Sequence, residues 1–287
     1  MLNFLFKFLT FLLIPLTTVA NTTQTIAILP PEFVNTKDTD SSIQDEFSVT
    51  LHTKILGIIS KSSQFELISR KRIQELVSEQ EFSNSGFVLR KDAPRIGQLL
   101  GANHLCFIEI NNFKDNEIES SFSGTSEILT KRSININCSL NIMDTETSKI
   151  VFANVYSDFD EQIIQRVNGD FFVKSATKGS QVSSLAESMG SNIGVSILRN
   201  LRPPRIIAIQ SDKVIINQGF NCALQSGDKY NVVRRSEAVN DPSSGNSLGS
   251  FEQIVGEIEL TRLTEKSAFT NSSGNLFKIG DYLQIKR

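Results

Sequence analysis

Residues 65–110, FELISRKRIQELVSEQEFSNSGFVLRKDAPRIGQLLGANHLCFIEI, encode two short strands and two amphipathic helices in a fixed order. Phe65 to Ile68 is a short apolar strand, and Ile73, Leu76, Val77 and Gln80 then recur at helical spacing with charged residues between them. A second helix fits Ala93 to Leu100. Asp92 is its N-cap, Pro94 is tolerated in its first turn, Ile96, Leu99 and Leu100 form its apolar stripe, and Gly101 supplies a left-handed C-terminal cap. The segment closes on an apolar strand, Leu105 to Ile110. An alternation of strands and helices of this kind points to an α/β fold, and it holds no evident catalytic residue.

The same logic extends in both directions. A strand at Thr25 to Leu29 precedes a helix that starts at Ser41 or Ser42 and carries Ile43, Phe47, Leu51 and Ile55 on one face, with His52 half-exposed beside that stripe. Ile134 to Ile142 alternates apolar and polar without a miss, as a strand covered on one face requires, and Ile150 to Val155 returns antiparallel after a turn over Asp144 to Lys149. A last helix, Ser180 to Leu201, buries Val182, Leu185, Met189, Ile193 and Ile197; its Gly190 and Gly194 are read as close helix-to-sheet packing. At Arg202-Pro203-Pro204 the helical period stops and short β-branched runs with frequent glycine take over. Two of them echo each other, Gly227-Asp228 before Lys229 to Arg234 and Gly280-Asp281 before Tyr282 to Lys286. The expected architecture is therefore an α/β domain over residues 21–202, a sandwich of a mixed sheet with helices, followed by a small all-β, barrel-like domain over 203–287.

In order and wording, the helix RKRIQELVSEQ (Arg70–Gln80), the step GQLLGANHL (Gly97–Leu105), the opening strand Ile26-Ala27-Ile28-Leu29-Pro30 and the hairpin LNIMDTETSKIV (Leu140–Val151) resemble the curli production assembly and transport (CsgG-type) family. The likeness covers roughly Gln24 to Leu201, and the β-rich remainder resembles small C-terminal modules on some exported CsgG-like and flagellar-assembly proteins. It implies a non-enzymatic cell-envelope component that assists secretion or assembly of surface structures, with other envelope or secretion proteins, or further copies of itself, as partners. A pore-forming outer-membrane subunit and a periplasmic activator of cell-wall synthases are the alternatives. Pore-forming relatives insert two hairpins per subunit, and each strand needs about nine to eleven residues with an outward apolar face. Asn111 to Ser133 and Tyr156 to Lys178 carry charges on both parities, which favours a soluble accessory and only indirect membrane association.

Localisation reads from Met1 to Ala20, where Lys7, an apolar run from Phe8 to Leu16, and small residues at Thr18 and Ala20 form a secretory signal peptide cleaved before Asn21. No cysteine follows that site, so the lipid attachment of many members of the resembled family is not expected, and the destination is the periplasm. With 29 basic and 31 acidic residues the chain offers no basic footprint for nucleic acid. Cys106, Cys138 and Cys222 read as buried thiols, with a Cys106–Cys138 bridge open if their strands are neighbours. Neither they nor His52 and His104 have metal-ligand spacing. Asp144 and Glu146 sit in a hairpin turn without a third group to perturb them, and Pro30-Pro31-Glu32 stands where a dinucleotide-binding glycine loop would follow the first strand. No catalytic residue, cofactor or metal is expected.

Overall fold

The structure is a computed structural model; it describes residues 23–34, 40–69, 71, 73, 95–121, 124, 127–167, 170–171, 178–271 and 277–286. The expected signal peptide, most of the helix begun at Ile73, and the Asp92 cap lie outside the described residues.

An uncharged apolar run forms strand β1, Gln24–Ile28, because only such a run can be covered on both faces. Ile26 and Ile28 point to one core and Ala27 and Leu29 to another. Parallel neighbours flank it: β3 (Phe65–Leu67) on one side and β4 (His104–Ser121) on the other. The short β2 (Glu32–Phe33) also pairs with β4, and an antiparallel meander continues through β5 (Glu127–Asp144) and β6 (Lys149–Val167) to β7 (Asp170–Phe171). The sheet is mixed and seven-stranded.

One face is covered by two helices, α1 (Ser41–Ser62) and α2 (Lys178–Leu201). Helix α1 starts where the sequence places it, with Asp40 accepting a hydrogen bond from the Ser42 amide at 2.9 Å. Ser183 Oγ donates to Glu46 at 2.7 Å, Lys54 pairs with Glu187, and Gly194 faces Ile58, so the helices run parallel. Gly190 and Gly194 therefore serve an approach between helices, not between helix and sheet: a Cβ at Gly190 would lie 2.8 Å from Lys54 Cβ and 3.1 Å from the Leu51 carbonyl oxygen. On the opposite face, helical residues 95–100 place Ile96 and Leu100 over Ala27, Leu29, Leu105, Phe107 and Met143, and Gly101 takes the left-handed cap at φ 69°.

Beyond Pro203-Pro204 the chain builds two small antiparallel sheets around one core. Strands β8 (Ile206–Gln210), β9 (Lys213–Ile216), β12 (Arg262–Leu263) and β13 (Ala268–Asn271) form one; β10 (Lys229–Arg235), β11 (Glu252–Glu259) and β14 (Tyr282–Ile285) form the other. Ile216 and Ala268 from the first share a cluster with Tyr230, Val232 and Leu283 from the second, and the sheets do not close into a barrel. The Gly-Asp echo has a local cause. Gly227 and Gly280 both adopt positive φ, and each following aspartate accepts the amide three residues upstream, Gln225 to Asp228 at 2.9 Å and Lys278 to Asp281 at 2.7 Å. The two strands so launched, β10 and β14, pair with each other.

The two parts meet at the C-terminal ends of α1 and α2. Asn221 Nδ2 donates to the Ser62 carbonyl at 3.1 Å, Gln218 Nε2 donates to the Arg202 carbonyl at 2.7 Å, and Cys222 joins the apolar cluster beneath α1.

Candidate functional site

The feature that dominates the surface is the β-meander. Strands β4, β5 and β6 are 18, 18 and 19 residues long, against a usual strand of about five or six, and they remain paired from the Asp144 turn out to Ser121 and Val167. Residues 111–121 and 127–133, where the sequence carries charges on both parities, continue the β4–β5 hairpin, entered through a bulge at Asn111. A second bulge falls between Phe152 and Ile150 on β6.

Three phenylalanines set the meander against the helices. Phe113 of β4 meets Phe47 of α1 at 5.4 Å between ring centres and Phe33 of β2 at 5.8 Å, all edge-to-face. Past them the helix-facing side turns polar. Arg132 donates to Asp115 through Nε at 2.8 Å and Nη2 at 2.5 Å; its side chain is buried and the carboxylate nearly so. This bidentate pair holds the guanidinium fully charged. Glu117, Asp158 and Asp160 share that face. The opposite face is a row of small polar residues on β5, Ser133, Asn135, Asn137, Ser139 and Asn141, beside Lys131, which pairs with Glu161 at 3.0 Å.

At the foot of the meander, Glu32 and Glu109 are register partners. Burial pushes the Glu32 carboxyl above its ordinary range and the neighbouring Glu109 charge adds to the rise. His52 is fully buried, not half-exposed, with Nε2 3.1 Å from the Ile28 carbonyl, so it ties α1 to the end of β1. His104 is buried opposite Asp144; desolvation depresses its pKa, partly opposed by Asp144 and reinforced by Arg202. Asp144 sits below its usual range because it accepts the Thr147 amide at 2.7 Å and hydroxyl at 2.8 Å, the work of a turn residue. Glu146 is exposed on that turn. Among the described residues no three His, Cys, Asp or Glu side chains are placed to hold a metal.

The cysteines are buried free thiols. Register separates two of them: Cys106 lies opposite Ile142 and Cys138 opposite Ile110, four residues away along the strand, about 13 Å and beyond the span of a disulfide. Burial pushes the Cys138 thiol up to about 12 and Cys222 to about 11, and raises Cys106 as well.

The meander is thus what the sequence pattern failed to announce. Its signal was the recurrence of Val155, Phe159 and Ile163 on one face of β6, hidden by the intervening Asp158, Asp160 and Glu161. The fold and its surface define an α/β sandwich that extends one antiparallel meander well past its own core.

The family described as "Curli production assembly/transport component CsgG" matches residues 30–195, more than half of the chain. The chain belongs to that family. Among solved structures it is similar to lipoprotein GNA1162 from Neisseria meningitidis, at 10% identity over 59% of this chain and 97% of that one with a TM-score of 0.37. Hypothetical protein CT253 from Chlamydia trachomatis shares 13% identity over 63% of this chain and 98% of that one, TM-score 0.36. The C-terminal domain of LpoB from Escherichia coli shares 11% over 47% and 82%, TM-score 0.31. These likenesses are too weak to bear on fold or role. No curated protein matches the chain.

Proposed function

We propose that the protein is a non-enzymatic envelope component that assists secretion or assembly of surface structures from the periplasm, as a soluble accessory and not as the pore itself. Family membership supports the general role. The observation that carries the finer reading is the distribution of charge on the outer half of the meander. One face bears Lys114, Lys131 and Glu161, and the other bears Asp115, Glu117, Arg132, Asp158 and Asp160. A lipid-facing surface tolerates neither set, since each lysine or arginine near the bilayer midplane costs about 2–4 kcal/mol.

In this reading the signal peptide over residues 1–20 is removed, the α/β unit to residue 202 presents the meander to partner proteins, and the β-rich unit from 203 docks on the ends of α1 and α2. His52, His104 and Cys222 are structural, so partner capture survives replacement of each.

One observation favours the pore alternative. From Asn112 to Ser121 the hairpin is ten residue pairs long, which matches a membrane-spanning strand. Fractionation of the mature protein followed by conductance across planar bilayers decides between the two. A soluble species without conductance supports the accessory; an outer-membrane species with discrete channel openings refutes it.

A further inference from the structure

Strand β4 leaves its neighbours on one side as it runs outward. That side is held by β1 at His104 to Cys106 and by β2 at Glu109 and Ile110, and from Asn112 to Ser121 no described residue pairs with it. These ten residues present about 33 Å of extended backbone, a template for one more strand. Their charge is sorted by face. Asp115, Glu117 and Glu119 follow Phe113 on the side toward α1, where Arg132 of β5 is bound to Asp115. On the other side Ile118, 60% exposed, stands between Asn116 and Ser120, with Lys114 nearer the root.

We infer that this edge of β4 takes an extended segment of a cationic partner protein by strand addition, with a basic, apolar, basic core set against Glu119, Ile118 and Glu117. Side chains alternate along the added strand, so two lysines or arginines two positions apart lie beside the two glutamates on the face toward α1. The residue between them packs a β-branched side chain on Ile118 on the other face. The backbone ladder supplies affinity that any sequence could use, and the acids supply the choice. A second β4 is refused by the same charges. A two-fold normal to the sheet at Ile118 sets Glu117 against Glu119 twice; at Glu117 it sets that residue against itself and Asp115 against Glu119; at Asn116 it sets Asp115 against Glu117. Like charges directly opposite destabilise a strand pair, whereas a basic strand meets the same carboxylates with opposite charge. This rests on the accessory reading, in which the edges of the meander are not closed into a wall.

The probe is the nonapeptide Ser-Thr-Thr-Lys-Val-Lys-Thr-Thr-Ser, which reads the same from either end and so serves as a parallel or an antiparallel strand alike. Carrying a fluorophore, it binds the mature protein in low salt with a saturable rise in anisotropy, and the amides of residues 112–121 gain protection from hydrogen exchange. The isomer Ser-Thr-Thr-Lys-Lys-Val-Thr-Thr-Ser, with the same charge split between two faces, binds at least tenfold more weakly. The original probe loses at least as much on Glu117→Gln combined with Glu119→Gln. Methylating the probe's backbone nitrogens at its odd or at its even positions gives two further peptides. One turns its methyl groups toward β4 and loses binding; the other turns them toward solvent and keeps it. Absence of saturable binding overturns the proposal. So does equal binding of the two lysine isomers or of the two methylated peptides, which reduces the contact to attraction without a ladder. A native protein whose 112–121 amides are already protected in an oligomer also overturns it, giving the edge to a second copy. If that oligomer conducts across bilayers, the accessory reading falls as well. A soluble monomer that ignores the probe leaves that reading standing and removes this inference alone.

Discussion

Replacing Gly190 and Gly57 by alanine, one at a time, is expected to move stability in opposite directions. Both lie inside helices, where alanine is favoured over glycine by about 0.8–1.0 kcal/mol. At Gly57 a new Cβ meets nothing within 4 Å, so Gly57→Ala gains that amount in full. At Gly190 the new atom would sit 2.8 Å from Lys54 Cβ, 3.0 Å from its Cγ and 3.1 Å from the Leu51 carbonyl oxygen. Carbon atoms rest about 3.5–4.0 Å apart, so α1 and α2 must separate by roughly 0.7 Å or more, against contacts that are fixed near the backbone. Overpacking of this kind costs about 1–3 kcal/mol. Net of the helix preference, Gly190→Ala loses about 1 kcal/mol, and the two variants differ by about 2. Urea unfolding followed by far-UV circular dichroism at constant m measures the gap, and Tm values should separate by about 4–8 °C. A Gly190→Ala protein as stabilised as Gly57→Ala would refute the close approach of the two helices.

Other outcomes are as specific. Arg132→Ala should lose about 2 kcal/mol, below the 3–5 typical of a broken buried pair because Asp115 keeps 18% of its side chain exposed, and Arg132→Leu combined with Asp115→Leu should recover most of it in the same urea assay. None of the three thiols should react with a thiol-specific dye in the native protein and all three should react after unfolding; a native reaction at Cys138 would contradict its burial. For Glu32 the folded pKa is raised, so the folded state favours the protonated acid and stability falls as pH climbs from the ordinary glutamate value through the folded one. Glu32→Gln should therefore raise Tm at neutral pH and leave it unchanged in acid below the glutamate range; a uniform change at all pH values would assign the effect to packing.

The parts of the fold with one dominant period were legible in the sequence. The α1 and α2 stripes, the alternation from Ile134 to Ile142 and the Gly101 cap each follow from a local rule, and the structure places them accordingly. The distal meander was not legible, because charges fall on both its faces and its strands hold together by register with each other. Lys114, Asp115, Glu117 and Glu119 put charge on both parities, and their register appears only when Arg132 is set beside Asp115. His52 misled for a related reason. Its carbonyl partner on Ile28 lies 24 residues away, a contact that periodicity does not encode. Gly190 and Gly194 announced a close approach correctly but could not name the surface approached, since helix and sheet make the same demand on a small residue.

The three phenylalanines at the root of the meander have a mechanical meaning. Phe33, Phe47 and Phe113 form a fulcrum, and the ribbon from Phe113 to Ser121 is a lever about 27 Å long. A tilt of about 10° at the fulcrum carries the far end about 5 Å, so a shift at that root too small to disturb the core is magnified at the tip. Since Phe47 belongs to α1 and Asn221 and Cys222 rest against the other end of that helix, a displacement of the β-rich unit has a rigid shaft through which to reach the lever.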